Sequence, residues 1–588
     1  MKKLKKTSSF NDLLLPLIMV MAILPFIVYL AMYNCGLSSE LWYGDNDIIG
    51  DIYCYYKSRV FILISMICAF ILLLRILVYK GFQKPWKPLL LLGGYVVLAV
   101  VSTIFSLNYQ DSLVGSLYHF ESIFALVGYV IILIYAYVFV NTKEDILLLD
   151  KFFTGAVVLL VILGVLQAMN MDIFDAEAFI RLISPKEWEK YALTNMQDAF
   201  IGNNVSLTLY NPNNAGQYLA MVLPFFVYKT IYQENKRKRV LFGILSVVLL
   251  ILVWFTYSRG ALLAVVIEFI IGSTLFLWKN IQKTKVFMKK AGLFLCGCVI
   301  ILLIADGTQN FKFLSRFFDE RSYSKLEQIL TEQDCIQIAY DGHKLKTGFS
   351  SDDSGIFLQL EEQDITSYYD STEGQVLYPD LENIQILPME LNEGKTLFIM
   401  IEGKSFSFLY EDGQYWFSND LGKPDKLTAI EAIDFHGLES KGSGRLYIWS
   451  RTLPLLKQYF FIGSGPDTFY RAFPQNDYVG KEIYAGTSAR LIEKAHNGYL
   501  MTAVQTGVVS LILLLVFYGW YVKTFIRHIK QNRITSLKDI LGISFFIGTI
   551  GYMFSSLFYD SSLQCTPLFC IFLGISMSIM LSDTTVES

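Results

Sequence analysis

Most of this chain is built from long apolar runs separated by short polar breaks. A hydrocarbon core about 30 Å thick takes about 20 residues of helix to cross. Runs of roughly that order occupy residues 13–33, 60–79, 88–105, 122–140, 152–167, 215–232, 241–255, 261–278, 291–304, 496–521, 540–557 and 567–581. Between the ninth and tenth runs the pattern changes. Residues 306–494 are polar, and from about 326 to 427 apolar and polar positions alternate with period two. IQIAY (336–340), IFLQL (356–360), TLFIMI (396–401) and FSFLY (406–410) read as strands. Asp341-Gly342, Glu393-Gly394 and Asp412-Gly413 read as the turns between them. Residues 445–459 then read as an amphipathic helix along an interface. The expected fold is an all-α polytopic membrane protein of about twelve transmembrane helices with an inserted extracytoplasmic all-β domain. Spans one to nine fall in residues 1–317, the insert in 318–435, an outer-face loop in 436–495, and spans ten to twelve in 496–588.

Charge orients this arrangement. Lys2, Lys3, Lys5 and Lys6 precede the first run, which reads as a retained signal-anchor. Residues 80–87, 236–239, 279–290 and 523–533 are also basic and flank even-numbered run ends. By the positive-inside rule these mark the cytoplasmic side, which places both termini inside and the insert outside. The composition agrees: 54% of residues are hydrophobic and 17% charged, which excludes an ordinary soluble multidomain protein. The insert is acidic while the rest of the chain is basic, so the insert stays solvated and off an anionic membrane surface. Cys35 and Cys54 flank one polar loop, where a disulfide is one reading and two free thiols the other. Cys68, Cys296, Cys298, Cys565 and Cys570 lie in apolar runs and read as small core residues.

Candidate chemistry gathers on the expected outer face. His496 starts the tenth run and is followed by Asn497 and Gly498. A helix N-terminus keeps an imidazole neutral, which suits a general base acting on a hydroxyl; the alternative is an interfacial helix cap made by His-Asn. Of the other histidines, His119 and His436 also fall near that face, His343 in a turn of the insert and His528 on the inner side. Arg259 sits in a tight corner, TYSRGALLA (256–264), between two apolar runs. A guanidinium there needs either an anionic partner such as a diphosphate or a path to lipid headgroups. Arg490 is a second candidate clamp for the same phosphates. Arg445 and Arg451 fall on the amphipathic helix with Trp449, and their reading there is mainly structural. Asn213, in the NPNN run 211–214, is a candidate for orienting a substrate, with helix capping as the alternative. In the insert, Tyr340, Tyr415 and Trp416 would suit sugar stacking if exposed and strand core if not. The sequence shows no nucleotide-binding glycine loop and no histidine, cysteine and carboxylate spacing of a metal site. No cofactor and no nucleic-acid partner are expected, so any reaction draws its energy from an activated, membrane-borne donor.

Four stretches carry a resemblance. NPNNAGQYLAMVLP (211–224), TYSRGALLA (256–264), GRLYIWSRTLPLLKQYFFIGSGPDTF (444–469) and AHNGYLMTAVQTG (495–507) resemble the O-antigen ligase family, which also contains polysaccharide repeat-unit polymerases. FSLNYQDSLVGSLYHFESIFAL (105–126) resembles an earlier outer-loop motif of the family, with histidine at 119 where arginine is frequent. The resemblance does not extend to the β insert. It implies a metal-independent, inverting glycosyltransferase of the bacterial cytoplasmic membrane. The donor would be a glycan on undecaprenyl diphosphate, and the acceptor a hydroxyl of another glycan, a lipid or a wall polymer. Carried over by motif, His496 is the base and Arg259 a phosphate clamp, and Arg490 matches a position upstream of the histidine motif; Asn497, Asn213 and Arg445 stand in support. A different class, a transporter or flippase of lipid-linked glycans, would also suit many spans with intramembrane charges.

Overall fold

The computed structural model describes residues 11–37, 48–79, 84–195, 204–279, 307, 315, 324–350, 355–391, 394–419, 423–435, 437–531 and 537–581. The expected run at 291–304 and His436 lie outside the described residues. Apolar composition dictates the first layer of the fold, a helical bundle. Its helices are α1 (Tyr55–Tyr79), α2 (Leu89–Ile104), α3 (Ile123–Phe139), α4 (Lys143–Ala168), α5 (Pro212–Tyr232), α6 (Lys236–Phe255) and α7 (Arg259–Lys279). Among the described residues four helices are long and apolar enough to cross a membrane: α1, α4, α6 and a later one, Val508–Gln531. Shorter apolar helical segments span Asp12–Phe26, Leu89–Ile104, Ile123–Phe139 and Thr566–Leu581. These helices make the chain a membrane protein in character. Among the described residues, the full set of twelve spans expected from the runs is not confirmed.

Two of the expected spans take a different form. In the first run, helical turns stop at Phe26, and the chain continues extended into β1 (Ala31–Asn34), which pairs antiparallel with β2 (Ile48–Asp51). Pro25 lacks the N–H that would carry the helix onward, and the residues after it are β-branched or aromatic. In the tenth run, the expected helix over 496–521 is cut in two. Gly507 adopts φ 98°, and a Cβ there would lie 2.8 Å from the Phe461 carbonyl oxygen. Only glycine fits that close approach.

The insert follows its alternation closely. Strands β3 (Leu326–Thr331), β4 (Ile336–Tyr340), β5 (His343–Phe349), β6 (Ile356–Leu360) and β7 (Gln363–Asp364) form one antiparallel sheet in sequence order. Strands β8 (Tyr369–Asp370), β9 (Gln375–Val376), β10 (Ile384–Leu391), β11 (Gly394–Ile401), β12 (Lys404–Glu411), β13 (Gln414–Ser418) and β14 (Pro424–Asp425) form a second. The inward residues of both, including Ile338, Leu345, Leu358, Ile399 and Phe408, share one core. Asp341-Gly342 and Asp412-Gly413 make the left-handed turns expected of them; Glu393 lies outside the described residues. Tyr340 and Tyr415 belong to the core rather than to an exposed sugar platform. Both are fully buried, since their strand positions point inward. Trp416 is half-buried beneath the Lys426 ammonium, 4.2 Å from the ring.

After the insert come α8 (Arg445–Gln458), α9 (Tyr478–Ala485), α10 (Gly498–Thr506), α11 (Val508–Gln531), α12 (Leu537–Ser555) and α13 (Thr566–Leu581). Residues 566–580 of α13 are all buried, so this helix, apolar on every face, forms the centre of the bundle. The insert rests on α9. Val479 enters its core, the Tyr478 ring packs 5.2 Å from Phe417, and Tyr478 Oη donates to Asp425 at 2.7 Å. Cys35 and Cys54 form no disulfide. Cys54 is buried in the bundle, where its sulfur accepts from Gln564 Nε2 at 3.0 Å, while Cys35 sits in the half-buried surface loop.

Candidate functional site

The glycine turn 463–466 sets the floor of the site. Ser464 and Gly465 donate backbone N–H groups to Val504 and Gln505 of α10, at 2.8 and 3.0 Å. A Cβ on Gly463 would fall 2.1 Å from the Gln505 carbonyl oxygen, so the turn lies directly against the helix backbone. From the other side, Trp449 of α8 donates its indole N–H to the Ala495 carbonyl at 2.8 Å. The segment that leads into α10 is thereby held between α8 and the bundle.

His496 lies two residues before the first residue of that helix, Gly498, and is left-handed, with φ 49°. Its Nδ1 lies 3.6 Å from Asp560 Oδ2, and its side chain is 42% exposed. Asp560 is buried in the short loop between α12 and α13, and its other oxygen accepts from the Asn497 backbone N–H at 3.0 Å. One carboxylate therefore fixes both the imidazole and the backbone beside it. Asn497 Oδ1 accepts from Tyr499 and Leu500, at 3.0 and 3.1 Å, and caps α10. The same loop closes on the helix start: Gly498 N–H donates to the carbonyls of Ser556 and Tyr559, at 2.8 and 2.9 Å. Burial, with the Arg445 and Lys494 cations, outweighs Asp560 and brings the His496 imidazole down to about 4. It is neutral at neutral pH. With Nδ1 turned to Asp560, Nε2 is the nitrogen placed to accept a proton.

Tyr559, next to Asp560, ties in the arginine corner. Its hydroxyl bonds Ser258 Oγ and accepts from the Ala261 N–H at 3.1 Å, sealing the start of α7. Arg259 is the first residue of α7 and is half-buried. The Arg445 guanidinium stands 5.8 Å from the Tyr559 ring centre, with a buried Nε that has no hydrogen-bond partner. Around Tyr559 and Asp560 the fold thus assembles the corner that carries Arg259, Arg445 of α8, and His496. Arg490 is placed otherwise. It is exposed, and its guanidinium donates to the carbonyl of Ala485, the last residue of α9, at 3.3 Å. Asn213 is half-buried in the first turn of α5, which Asn211 caps through the Asn214 N–H at 2.9 Å.

A second cluster adjoins the first. His119 is fully enclosed, with Nδ1 3.4 Å from Asp467 and Nε2 3.5 Å from Glu493. Burial pulls this imidazole down, but Asp467 and Glu493 more than offset it and hold it above its ordinary value. Glu493 is held below the ordinary carboxylate range: burial would raise it, and His119 and Lys494 overcome that effect. Asp467 also accepts from the Ser116 N–H at 2.6 Å. Arg451, by contrast, is spent on the scaffold, in an ion pair of 2.8 Å with Asp477 that Tyr447 shares at 3.0 Å.

Below the histidine motif the bundle holds an apolar cavity. Tyr95 of α2, Leu126 and Leu133 of α3, Gly498 and Thr502 of α10, Tyr518 of α11 and Phe569 of α13 line it. In the insert, Glu332, Asp334 and Cys335 bring three ligand-type atoms within 4.8 Å of one another, a grouping not evident from spacing because two of them are exposed turn residues.

Sequence reasoning singled out His496, Arg259 and Arg445 but passed over Asp560 and Tyr559. A signal was present: YDSS (559–562) sets a carboxylate between two apolar runs, the same costly placement that marked Arg259. Residues 401–515 match the family model described as O-Antigen ligase. No curated protein and no solved structure matches the chain.

Proposed function

Since the chain belongs to the O-antigen ligase family, we propose that it transfers a glycan from a lipid diphosphate, of the undecaprenyl type, to an acceptor hydroxyl at the insert-bearing end of the bundle. That end would face outward from a bacterial cytoplasmic membrane. The observation that carries this reading is the convergence on one loop: Asp560 orients His496, and Tyr559 joins the Arg259 corner to Arg445.

In the proposed step, the acceptor O–H gives its proton to His496 Nε2 as its oxygen bonds the anomeric carbon. The bond from that carbon to the diphosphate breaks, and the electron pair leaves with the diphosphate. Arg259 and Arg445 neutralise that charge, while Arg490 meets the donor at the exposed rim. The guanidinium fork suits two phosphate oxygens at once, and no metal is required for this. Attack opposite the leaving group inverts the anomeric carbon. The polyisoprenoid tail enters the apolar cavity beneath His496, while Asn497 caps the helix beside the base and Asn213 supports the site from the first turn of α5. The acceptor is either another lipid-linked repeat unit or a different polymer.

Liposomes holding the full-length protein and an undecaprenyl-diphosphate-linked oligosaccharide test this directly. Free undecaprenyl diphosphate and an extended glycan should appear with the wild type and not with His496→Ala. Transfer at near-wild-type rate in that variant would sink the base assignment. One observation suits the transporter reading: Glu268 of α7 is buried, and among the described residues neither of its oxygens has a hydrogen-bond partner. Movement of a labelled lipid-linked glycan across the same liposomes, without transfer, would favour that reading.

A further inference from the structure

We propose that Tyr118, Tyr210, Glu493 and Lys494 form a saccharide-binding subsite beside His496, which receives the acceptor sugar. The role of acceptor rests on the transferase reading; the recognition of a sugar does not.

The two tyrosines come from distant segments, the loop before α3 and the loop before α5. Their rings are 6.4 Å apart and nearly parallel, at 22°. Both residues are left-handed, with φ 62° at Tyr118 and 76° at Tyr210. Bulky side chains rarely adopt that conformation, and it costs on the order of 1–3 kcal/mol per residue. Such strain persists where the surroundings impose it, and it concentrates at binding sites. Here it sets two half-buried aromatic rings side by side.

Charge completes the picture. Lys494 Nζ stands 5.7 Å from the Tyr210 ring centre, and Lys494 and Glu493 both act electrostatically on His496. Glu493 is 28% exposed, so its carboxylate reaches solvent. Its inner side meets His119, which Asp467 fixes in turn from 3.4 Å. The carboxylate is therefore oriented from behind and open in front. A pyranose offers hydroxyl donors around its rim and C–H groups on its faces. An ionised carboxylate accepts from hydroxyls, an ammonium donates to their oxygens, and an aromatic ring takes the apolar face. These are the groups present, two and three residues from the histidine that would deprotonate such a hydroxyl.

The test uses full-length protein in nanodiscs and a panel of methyl glycosides of common hexoses, deoxyhexoses and N-acetylhexosamines, read by saturation-transfer NMR. At least one glycoside should bind the wild type. Tyr210→Gly removes the ring and relieves the left-handed strain, and it should weaken that signal at least about fivefold, as should Glu493→Gln, each loss corresponding to about 1 kcal/mol. Tyr210→Phe and His496→Ala should retain it. Unchanged melting of the variants shows that they are folded; if Tyr210→Gly unfolds, Glu493→Gln decides. Absence of any glycoside signal, or wild-type signal in both Tyr210→Gly and Glu493→Gln, overturns the subsite. Donor consumption by the same samples separates the two ideas. A wild type that consumes lipid-linked donor but binds no glycoside leaves the transferase standing and removes the subsite. Glycoside binding that depends on Tyr210 and Glu493, without donor consumption, does the reverse.

Discussion

Two histidines about the same loop system have opposite surroundings. His496 meets one carboxylate at 3.6 Å, faces the Arg445 and Lys494 cations, and opens to solvent. His119 is sealed between two carboxylates at 3.4 and 3.5 Å. The first is kept neutral and able to take a proton; the second is held above its ordinary value by its two carboxylates and serves as a fixed brace. The balance of neighbouring charge against burial decides this: Asp467 and Glu493 outweigh burial at His119, whereas burial with the Arg445 and Lys494 cations outweighs the carboxylates at His496. A histidine's chemistry is set by its neighbours rather than by its rarity in the chain.

The largest expected effect breaks the pair on the reactive side. His496→Ala should lower glycan transfer by about 10²–10⁴, the usual worth of a positioned proton acceptor, with unchanged melting. On the structural side, His119→Ala leaves Asp467 and Glu493 without the imidazole that lies against both. It should cost roughly 3 kcal/mol, within the range for breaking a buried pair, and appear as a lower unfolding midpoint; an unchanged midpoint would show that His119 does not brace the loops. Asp560→Asn weakens the hold on His496, and about 1.4–2.7 kcal/mol of lost orientation would slow transfer by about 10–100-fold. Arg259→Lys keeps the charge and loses the fork, so the KM for lipid-linked donor should rise about tenfold; wild-type behaviour would rule out two-point recognition there.

The smallest effect is in pH. His119 lies above its ordinary value of about 6.5, so its contribution to stability is complete below that pH and is lost as pH rises through the raised value. His496 lies at about 4, so the unfolded chain takes up a proton first, and stability falls as pH drops from about 6.5 toward 4. The acid limb of transfer activity should accordingly lie near pH 4 and not near 6.5. Activity profiles of wild type and stability profiles of His119→Ala check the two signs separately.

How far the sequence could carry these arguments depends on the range of the signal. The strands and Asp-Gly turns of the insert were legible because period-two burial and left-handed turns are local properties. The helices were legible where composition alone decides, as in α4 and α13. The break at Gly507 was not, because it depends on the Phe461 carbonyl, a partner far along the chain; the stop after Phe26 had a local mark in Pro25, which the length of the apolar run hid. His496 and Arg259 stood out as polar groups in apolar settings. Asp560 carried the same mark, but its link to His496 exists only once α12 and α13 have folded back across α10. Tyr340 and Tyr415 misled in the other direction, since alternation gives the two faces of a strand without saying which one is covered.

The hold of the α12–α13 loop on the start of α10 has a consequence for dissection of the chain. The stretch that matches the family model ends at residue 515, within α11, so it contains His496 but neither Tyr559 nor Asp560. Expressed by itself, that fragment would keep its proton acceptor and lose the groups that aim it, and the first turn of α10 would surrender the two carbonyls that now receive the Gly498 amide. The smallest piece able to act must therefore run past Asp560, and a deletion from the C-terminal end should abolish transfer well before it reaches the matched segment.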